Sequence, residues 1–270
     1  GWAKGYGEWL SVDGNSNAPG VDNAVGGVLA GFDVVSGNAL FGAALGYSSS
    51  NTEIDGEDAE IDTDTFLLAI YGAYRIDHIR LSGGASYGWS SNDSDRADTL
   101  SPGDRLTASY DGNTANLFAE IAYEATFGRA AVEPFAGLSY TSVDNDGFTE
   151  EGGPGALSSD GDSFGSLAST LGVRLAYDFA LDGGARITPR GSVAWRHAFG
   201  DLTPEAVMNF AGTNSGFTVE GLPIAEDTLV LGAGVEFGLA HGVTLGIDYT
   251  GQFAEDATSN SVRAVGRVAF

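Results

Sequence analysis

The run Ile79-Arg80-Leu81-Ser82-Gly83-Gly84-Ala85-Ser86-Tyr87-Gly88-Trp89-Ser90 decides the fold. Ile79, Leu81, Gly83, Ala85, Tyr87 and Trp89 share one face. Arg80, Ser82, Gly84, Ser86, Gly88 and Ser90 share the other. Side chains of a strand alternate between faces, so this is a strand with one apolar and one polar side. Residues 115–127 repeat the pattern, with Leu117, Ala119, Ile121, Tyr123, Ala125 and Phe127 set against Asn116, Phe118, Glu120, Ala122 and Glu124. Residues 243–253 repeat it again, placing Val243, Leu245, Ile247, Tyr249 and Phe253 opposite Thr244, Gly246, Asp248, Thr250 and Gln252.

Helical periodicity is nearly absent from the 270 residues, and no apolar run is long enough for a membrane helix. Period-2 segments predict twelve strands, at 1–12, 25–35, 39–50, 63–76, 79–90, 113–127, 130–142, 163–180, 185–197, 228–239, 243–253 and 259–270. The first alternates poorly. The connections alternate in length. Residues 36–38, 77–78, 128–129, 181–184 and 240–242 are short turns, whereas 13–24, 51–62, 91–112, 143–162 and 198–227, with a brief 254–258, lie on the opposite side. Short turns at one end and long loops at the other are the signature of a transmembrane β-barrel. The expected fold is therefore all-β, a single domain over residues 1–270 forming a 12-stranded antiparallel up-and-down barrel. An even strand count predicts both termini on the periplasmic side and the acidic loops outside.

Aromatic residues sort by depth. Tyr47, Phe66, Trp89, Tyr140, Trp195 and Phe253 fall at the loop ends of strands and face outward; Tyr74, Phe127, Phe179, Phe237 and Phe270 fall at the turn ends on the same face. Leu, Val, Ile and Ala lie between. Two aromatic girdles around an apolar belt suit the two interfaces of a bilayer.

Charge follows the same division. The formal net charge is −25, which argues against nucleic acid as a partner, since polyanions repel. The long-side connections hold 26 of the 37 acidic residues, with Arg96 and Arg105 the bases among them. The strands are nearly neutral. Their charged residues fall mostly at inward positions: Asp33, Arg75, Arg80, Glu120, Glu124, Glu133, Arg174, Arg190, Arg196, Glu236, Asp248, Arg263 and Arg267, with Asp178 and Arg186. An Arg facing mid-bilayer lipid costs about 2–4 kcal/mol, whereas one turned inward meets water and opposite charge. Inward glycines, among them Gly31, Gly42, Gly46, Gly84, Gly172 and Gly234, widen a bore that twelve strands leave narrow.

Catalytic patterns are weak. Gly161-Asp162-Ser163-Phe164-Gly165 has the spacing of a nucleophile elbow, but that motif needs a following helix. Gly232-Ala233-Gly234 lacks the helix N-terminus a phosphate site requires. Asn51, Glu53, Asp55, Gly56 and Asp62 echo a calcium loop without its flanking helices. His197, at the outer end of a strand on the lipid side, would need a serine and an orienting partner to act as a hydrolase base, and Phe199 shares its face. The sequence assigns no catalytic, metal or cofactor residue.

Several stretches resemble the C-terminal β-domain of autotransporters. They are Ala18-Pro19-Gly20 followed by residues 26–33, Phe148-Thr149-Glu150-Glu151-Gly152, residues 189–201 with the block Trp195-Arg196-His197, Phe217-Thr218-Val219-Glu220-Gly221, and the strand closing at Phe270. The resemblance spans essentially the whole chain. It implies a monomeric translocator integral to the outer membrane of a Gram-negative bacterium, in contact with lipid and lipopolysaccharide. It also implies type V secretion of an N-terminal passenger, with a linker helix in the lumen. Passenger and most of the linker are expected to lie outside these residues, as is any signal peptide. The resemblance further implies insertion by the barrel-assembly machinery through Val262, Ala264, Val268 and Phe270, with Gly266 one position from the usual glycine. A passive pore or adhesin-type barrel is the alternative, and an outer-membrane hydrolase a more distant one.

Overall fold

A computed structural model describes every residue except 182, 183, 214, 215, 240, 241, 269 and 270. Sixteen strand segments follow in order: β1 (Trp2–Val12), β2 (Val21–Ser36), β3 (Ala39–Ile54), β4 (Ala59–Ile76), β5 (Ile79–Ala97), β6 (Arg105–Tyr123), β7 (Ala125–Phe127), β8 (Ala130–Thr149), β9 (Leu157–Tyr177), β10 (Phe179–Ala180), β11 (Arg186–Phe199), β12 (Glu205–Phe210), β13 (Gly216–Glu220), β14 (Asp227–Gly238), β15 (Val243–Phe253) and β16 (Ala257–Val268). Neighbours pair antiparallel around the circle, and β16 returns to β1 from Trp2↔Arg267 to Val12↔Ala257. The result is a closed barrel of twelve staves, because β6 with β7 and β9 with β10 each form one and β12 and β13 stand outside the circuit.

The two interrupted staves have one cause. By register, Pro134 of β8 lies opposite Tyr123, and Pro189 of β11 lies opposite Tyr177. Proline has no N–H, so the ladder lapses at the next residues, Glu124 and Asp178. Each proline keeps its pairing on the other side, Pro134 with Val173 and Pro189 with Val235.

Tight turns join the staves at one end. Gly37 and Gly128 adopt positive φ, and so does Asp77 at φ 50. Such values match the right-handed twist of two-residue hairpins. At the other end the strands outrun their expected limits. β3 continues to Ile54, β4 begins at Ala59, β5 continues to Ala97, β6 begins at Arg105, β8 continues to Thr149 and β9 begins at Leu157. The long connections predicted at 51–62, 91–112 and 143–162 are therefore mostly strand. Past Trp89 the outward face meets water, so its residues are acids such as Asp62, Asp64, Asp93 and Asp111, all exposed. The inward face carries Ile61, Leu106 and Ala108. Alternation persists with its polarity inverted, which reads in the sequence as loop. Within the predicted loop 198–227, β12 and β13 form a hairpin, and Met208–Phe210 pair with Leu157–Ser159 of β9.

β1 inverts polarity at membrane depth as well. Ala3, Gly5 and Gly7 face out, while Trp2, Lys4, Tyr6 and Glu8 face in. That is why its alternation is poor. The inward aromatics rest on glycine: a Cβ on Gly27 would sit 2.6 Å from the Tyr6 ring, and one on Gly31 2.6 Å from Trp2.

The Gly161–Gly165 stretch lies within β9 and Gly232–Gly234 within β14, so neither has the helical context its motif requires.

Candidate functional site

The outer face of the barrel is a continuous apolar surface. Val28, Leu45, Phe66, Leu68, Ile70, Leu171, Val193, Leu231 and Ile247 are all exposed. Exposed aliphatic surface on this scale is foreign to a water-soluble monomer. The aromatics lie in rows across strands. Tyr47 pairs with Phe66, and Phe66 with Trp89; Trp195 pairs with Leu229, and Leu229 with Phe253. Tyr140 lies beside Leu167 on the same outer rim. At the turn end, Tyr74 pairs with Leu81, Phe127 with Ala130, and both Phe179 and Phe237 with Ile187. Phe270 lies outside the described residues. Val262, Ala264 and Val268 face out from β16, with Gly266 between them.

Inside, two ion-pair clusters line the bore. In the first, Arg174 binds Glu120 at 2.5 Å and Glu133 at 2.6 Å, and its guanidinium lies 3.8 Å over the Phe135 ring. Arg80 reaches Glu133 at 2.7 Å and Glu124 at 3.3 Å, and Arg75 reaches Glu124 at 2.9 Å. Three arginines thus neutralise three glutamates and tie β4, β5, β6, β8 and β9 together. In the second, Arg190 binds Glu236 at 3.2 Å and Asp248 at 3.0 Å, with Arg263 3.6 Å from Asp248. Both clusters border one cavity of about 470 Å³.

Other charged positions lie apart from these clusters. Asp33 accepts a hydrogen bond from Tyr71 at 3.3 Å, and Tyr71 accepts one from Trp2 Nε1 at 2.6 Å. Arg186 pairs with Asp178 at 3.4 Å near the turn end. Arg196 lines a cavity of about 340 Å³ at the loop-end mouth with Glu8, Leu10 and the segment Leu222-Pro223-Ile224-Ala225. Arg267 stands across the closing seam from Trp2 and pairs with no acid among the described residues. The inward Trp2, Tyr6 and Tyr71 were invisible to a search for charge, and Lys4 was passed over because β1 alternates poorly. The inverted polarity of β1 was the signal for three of them.

Beyond the girdle, β5, β6, β8 and β9 build a small core of their own. Leu106 is fully buried, and Ala108 and Ala156 are buried as well. Arg96 binds Glu150 through two hydrogen bonds, at 2.7 and 2.5 Å. Asp98, 3% exposed, accepts N–H groups of Leu100 at 2.8 Å and Gly155 at 3.1 Å. Burial alone would raise the Asp98 carboxyl; those N–H groups, that of Ser101 and the charge of Arg96 outweigh it and hold it below its ordinary value.

His197 has the orienting partner that the sequence did not reveal. Its Nδ1 lies 2.9 Å from Asp227 Oδ1, across the β11–β14 ladder. Ser169 is its cross-strand neighbour on β9. The ring, however, turns Nδ1 to Asp227 and Nε2 toward Glu226 at 3.8 Å, and no hydrogen bond joins it to Ser169 among the described residues. A serine nucleophile needs its base within hydrogen-bond reach, and this orientation does not supply it.

The family model described as Autotransporter beta-domain matches residues 1–250. An extracellular serine protease of Serratia marcescens is 34% identical over 265 residues, which is 97% of this chain and 25% of that protein. The chain thus spans about a quarter of the curated relatives it matches. Among solved structures, the translocator domain of the autotransporter NalP from Neisseria meningitidis superposes with a TM-score of 0.77 at 18% identity, covering 98% of this chain and 86% of that one. The β-domain of the Bordetella autotransporter BrkA gives 0.75 at 20% identity, covering 100% and 98%.

Proposed function

The chain belongs to the autotransporter β-domain family, the outer-membrane translocator of a linked passenger, and from that premise we propose how this barrel conducts its own. The passenger lies N-terminal to β1, and the turn end faces the periplasm with the acidic loop end outside. The observation that carries this reading is the bore. Most of its charges cancel inside two ion-pair clusters, so a polar chain can pass without meeting one strongly attractive field. On β2 and β3 the inward Gly27, Gly31 and Gly42 give their space to the Tyr6, Trp2 and Tyr71 rings of the barrel itself.

After export, a linker helix occupies the bore and closes it. The exit holds a template of a different kind. Among the described strands β13 pairs only with β12, so its other edge, apart from the Glu220 C=O that accepts from Asn17 Nδ2 at 3.3 Å, offers backbone N–H and C=O groups to an emerging strand. No nucleotide drives the process; passenger folding outside makes it one-way. The relatives' protease activity belongs in this reading to their passengers, and the barrel itself is not a catalyst. Insertion uses the barrel-assembly machinery acting through Val262, Ala264 and Val268 of β16 and the residue Phe270, and the barrel sits as a monomer among lipid and lipopolysaccharide.

The test is surface display. The chain is expressed behind a signal peptide, an epitope-tagged passenger and a helical linker. Intact cells should then bind antibody and lose the epitope to added protease. A barrel that assembles in the outer membrane while the epitope stays in the periplasm would overturn the proposal and favour a passive pore.

A further inference from the structure

The geometry points to a divalent first-row metal site at the loop-end rim, with His197 Nε2 and the Glu226 carboxylate as ligands and Asp227 as the group that orients the imidazole. Nothing in translocation requires this site, and its test is independent of that reading.

The sheet places two of the three residues and the backbone of the third, which immediately precedes β14. His197 and Asp227 are register partners on β11 and β14, and the Ala198 N–H donates to the Glu226 carbonyl at 2.8 Å. The backbones of all three residues are therefore tied to the rim of the ladder, and the Glu226 side chain turns toward His197. Asp227 Oδ1 accepts from Trp195 Nε1 at 2.7 Å, which holds the carboxylate in place against His197 Nδ1 at 2.9 Å. An ionised carboxylate only accepts, so in the neutral imidazole the proton sits on Nδ1 and Nε2 presents a bare lone pair. A carboxylate on one ring nitrogen with the other free is the usual surrounding of a metal-binding histidine.

Nε2 points toward Glu226 Oε1 at 3.8 Å, too far for a hydrogen bond. Two ligands each about 2.0–2.1 Å from one ion lie roughly 3.3 Å apart at a tetrahedral angle and near 4 Å when the angle opens. The observed gap falls in that range. One ligand atom from each of His197, Glu226 and Asp227 lies within 4.8 Å of the others. Two carboxylates beside a neutral imidazole leave a net negative site, which a cation neutralises. An imidazole nitrogen selects zinc-like ions over calcium or magnesium, which prefer oxygen alone. The His197 side chain is 22% exposed and Glu226 68%, so the remaining coordination positions open to water or to a phosphate oxygen at the membrane surface. Phe199, edge-on at 4.6 Å, shields the ring on one side.

The same three side chains without metal would be an ordinary surface cluster of polar groups, and calorimetry separates the two. Chelator-stripped barrel, prepared without a histidine tag in detergent, is titrated with zinc chloride in excess magnesium, which saturates the acidic loops. One tight equivalent is expected. His197→Gln should abolish it, Glu226→Gln should weaken it at least about tenfold, and Asp227→Asn about 10–100-fold. His78→Gln, at the turn end, should leave it unchanged. An isotherm that His197→Gln does not alter means zinc held elsewhere and overturns the site. Should that variant fail to assemble, the Glu226 and Asp227 variants decide; unchanged zinc affinity in both overturns it equally. Loss of affinity in Glu226→Gln alone would leave a ligand pair but remove the orienting role of Asp227.

Discussion

Arg174 shows what one side chain does inside a membrane barrel. It closes two ion pairs and covers an aromatic face, with its own side chain 38% exposed and those of Glu120 and Glu133 16% and 18%. Such half-buried pairs in a wet bore are worth less than fully buried ones, yet removing the cation strands two carboxylates beside each other. Arg174→Ala should destabilise the folded barrel by about 1–3 kcal/mol, seen as a lower temperature for loss of heat-modifiable migration on gels. An unchanged midpoint would mean that water and Arg80 fully replace it. The inward position of Arg174 was readable from alternation alone. Its partners Glu120 and Glu133 were readable as inward charges, but not as its partners, because they come from β6 and β8.

Strands extend beyond the membrane where an inverted pattern replaces the apolar one. By about 3.3 Å per residue, the stretch from Trp89 to Ala97 carries β5 roughly 20 Å past the girdle once its tilt is allowed for. The small core of Leu106, Ala108, Ala156, Arg96, Glu150 and Asp98 holds these extensions together. Asp98 has its carboxyl held low, so its contribution is complete above its ordinary value of 3.8 and fades as pH falls through the lower, folded value. Acidification below about pH 4 should therefore expose residues 98–104 and 150–156 to an acid-active protease, while the membrane staves stay intact. Equal cleavage at pH 3 and pH 5 would refute this. None of the extension was legible as strand, because the expected sign of alternation reverses once water replaces lipid outside.

The whole molecule is a cylinder sorted by solvent. Val193 and Ser192 are adjacent on β11, one facing lipid and one the bore. Val193→Arg should cost about 2–4 kcal/mol if it lies near the bilayer midplane, whereas Ser192→Arg, facing water, should cost much less. Comparing the urea midpoints of the two variants in lipid vesicles checks this; equal losses would contradict the assigned faces. Strand number, the alternating turns and the apolar belt were determined by sequence alone, because each stave must satisfy lipid on one side and water on the other, and that demand is written residue by residue. The tertiary structure alone decided which charges pair, where the strands end above the membrane, that β12 pairs with β13, and that His197 meets Asp227 and Glu226. Those outcomes depend on register between strands far apart in the chain, and register leaves no trace in a single strand's pattern.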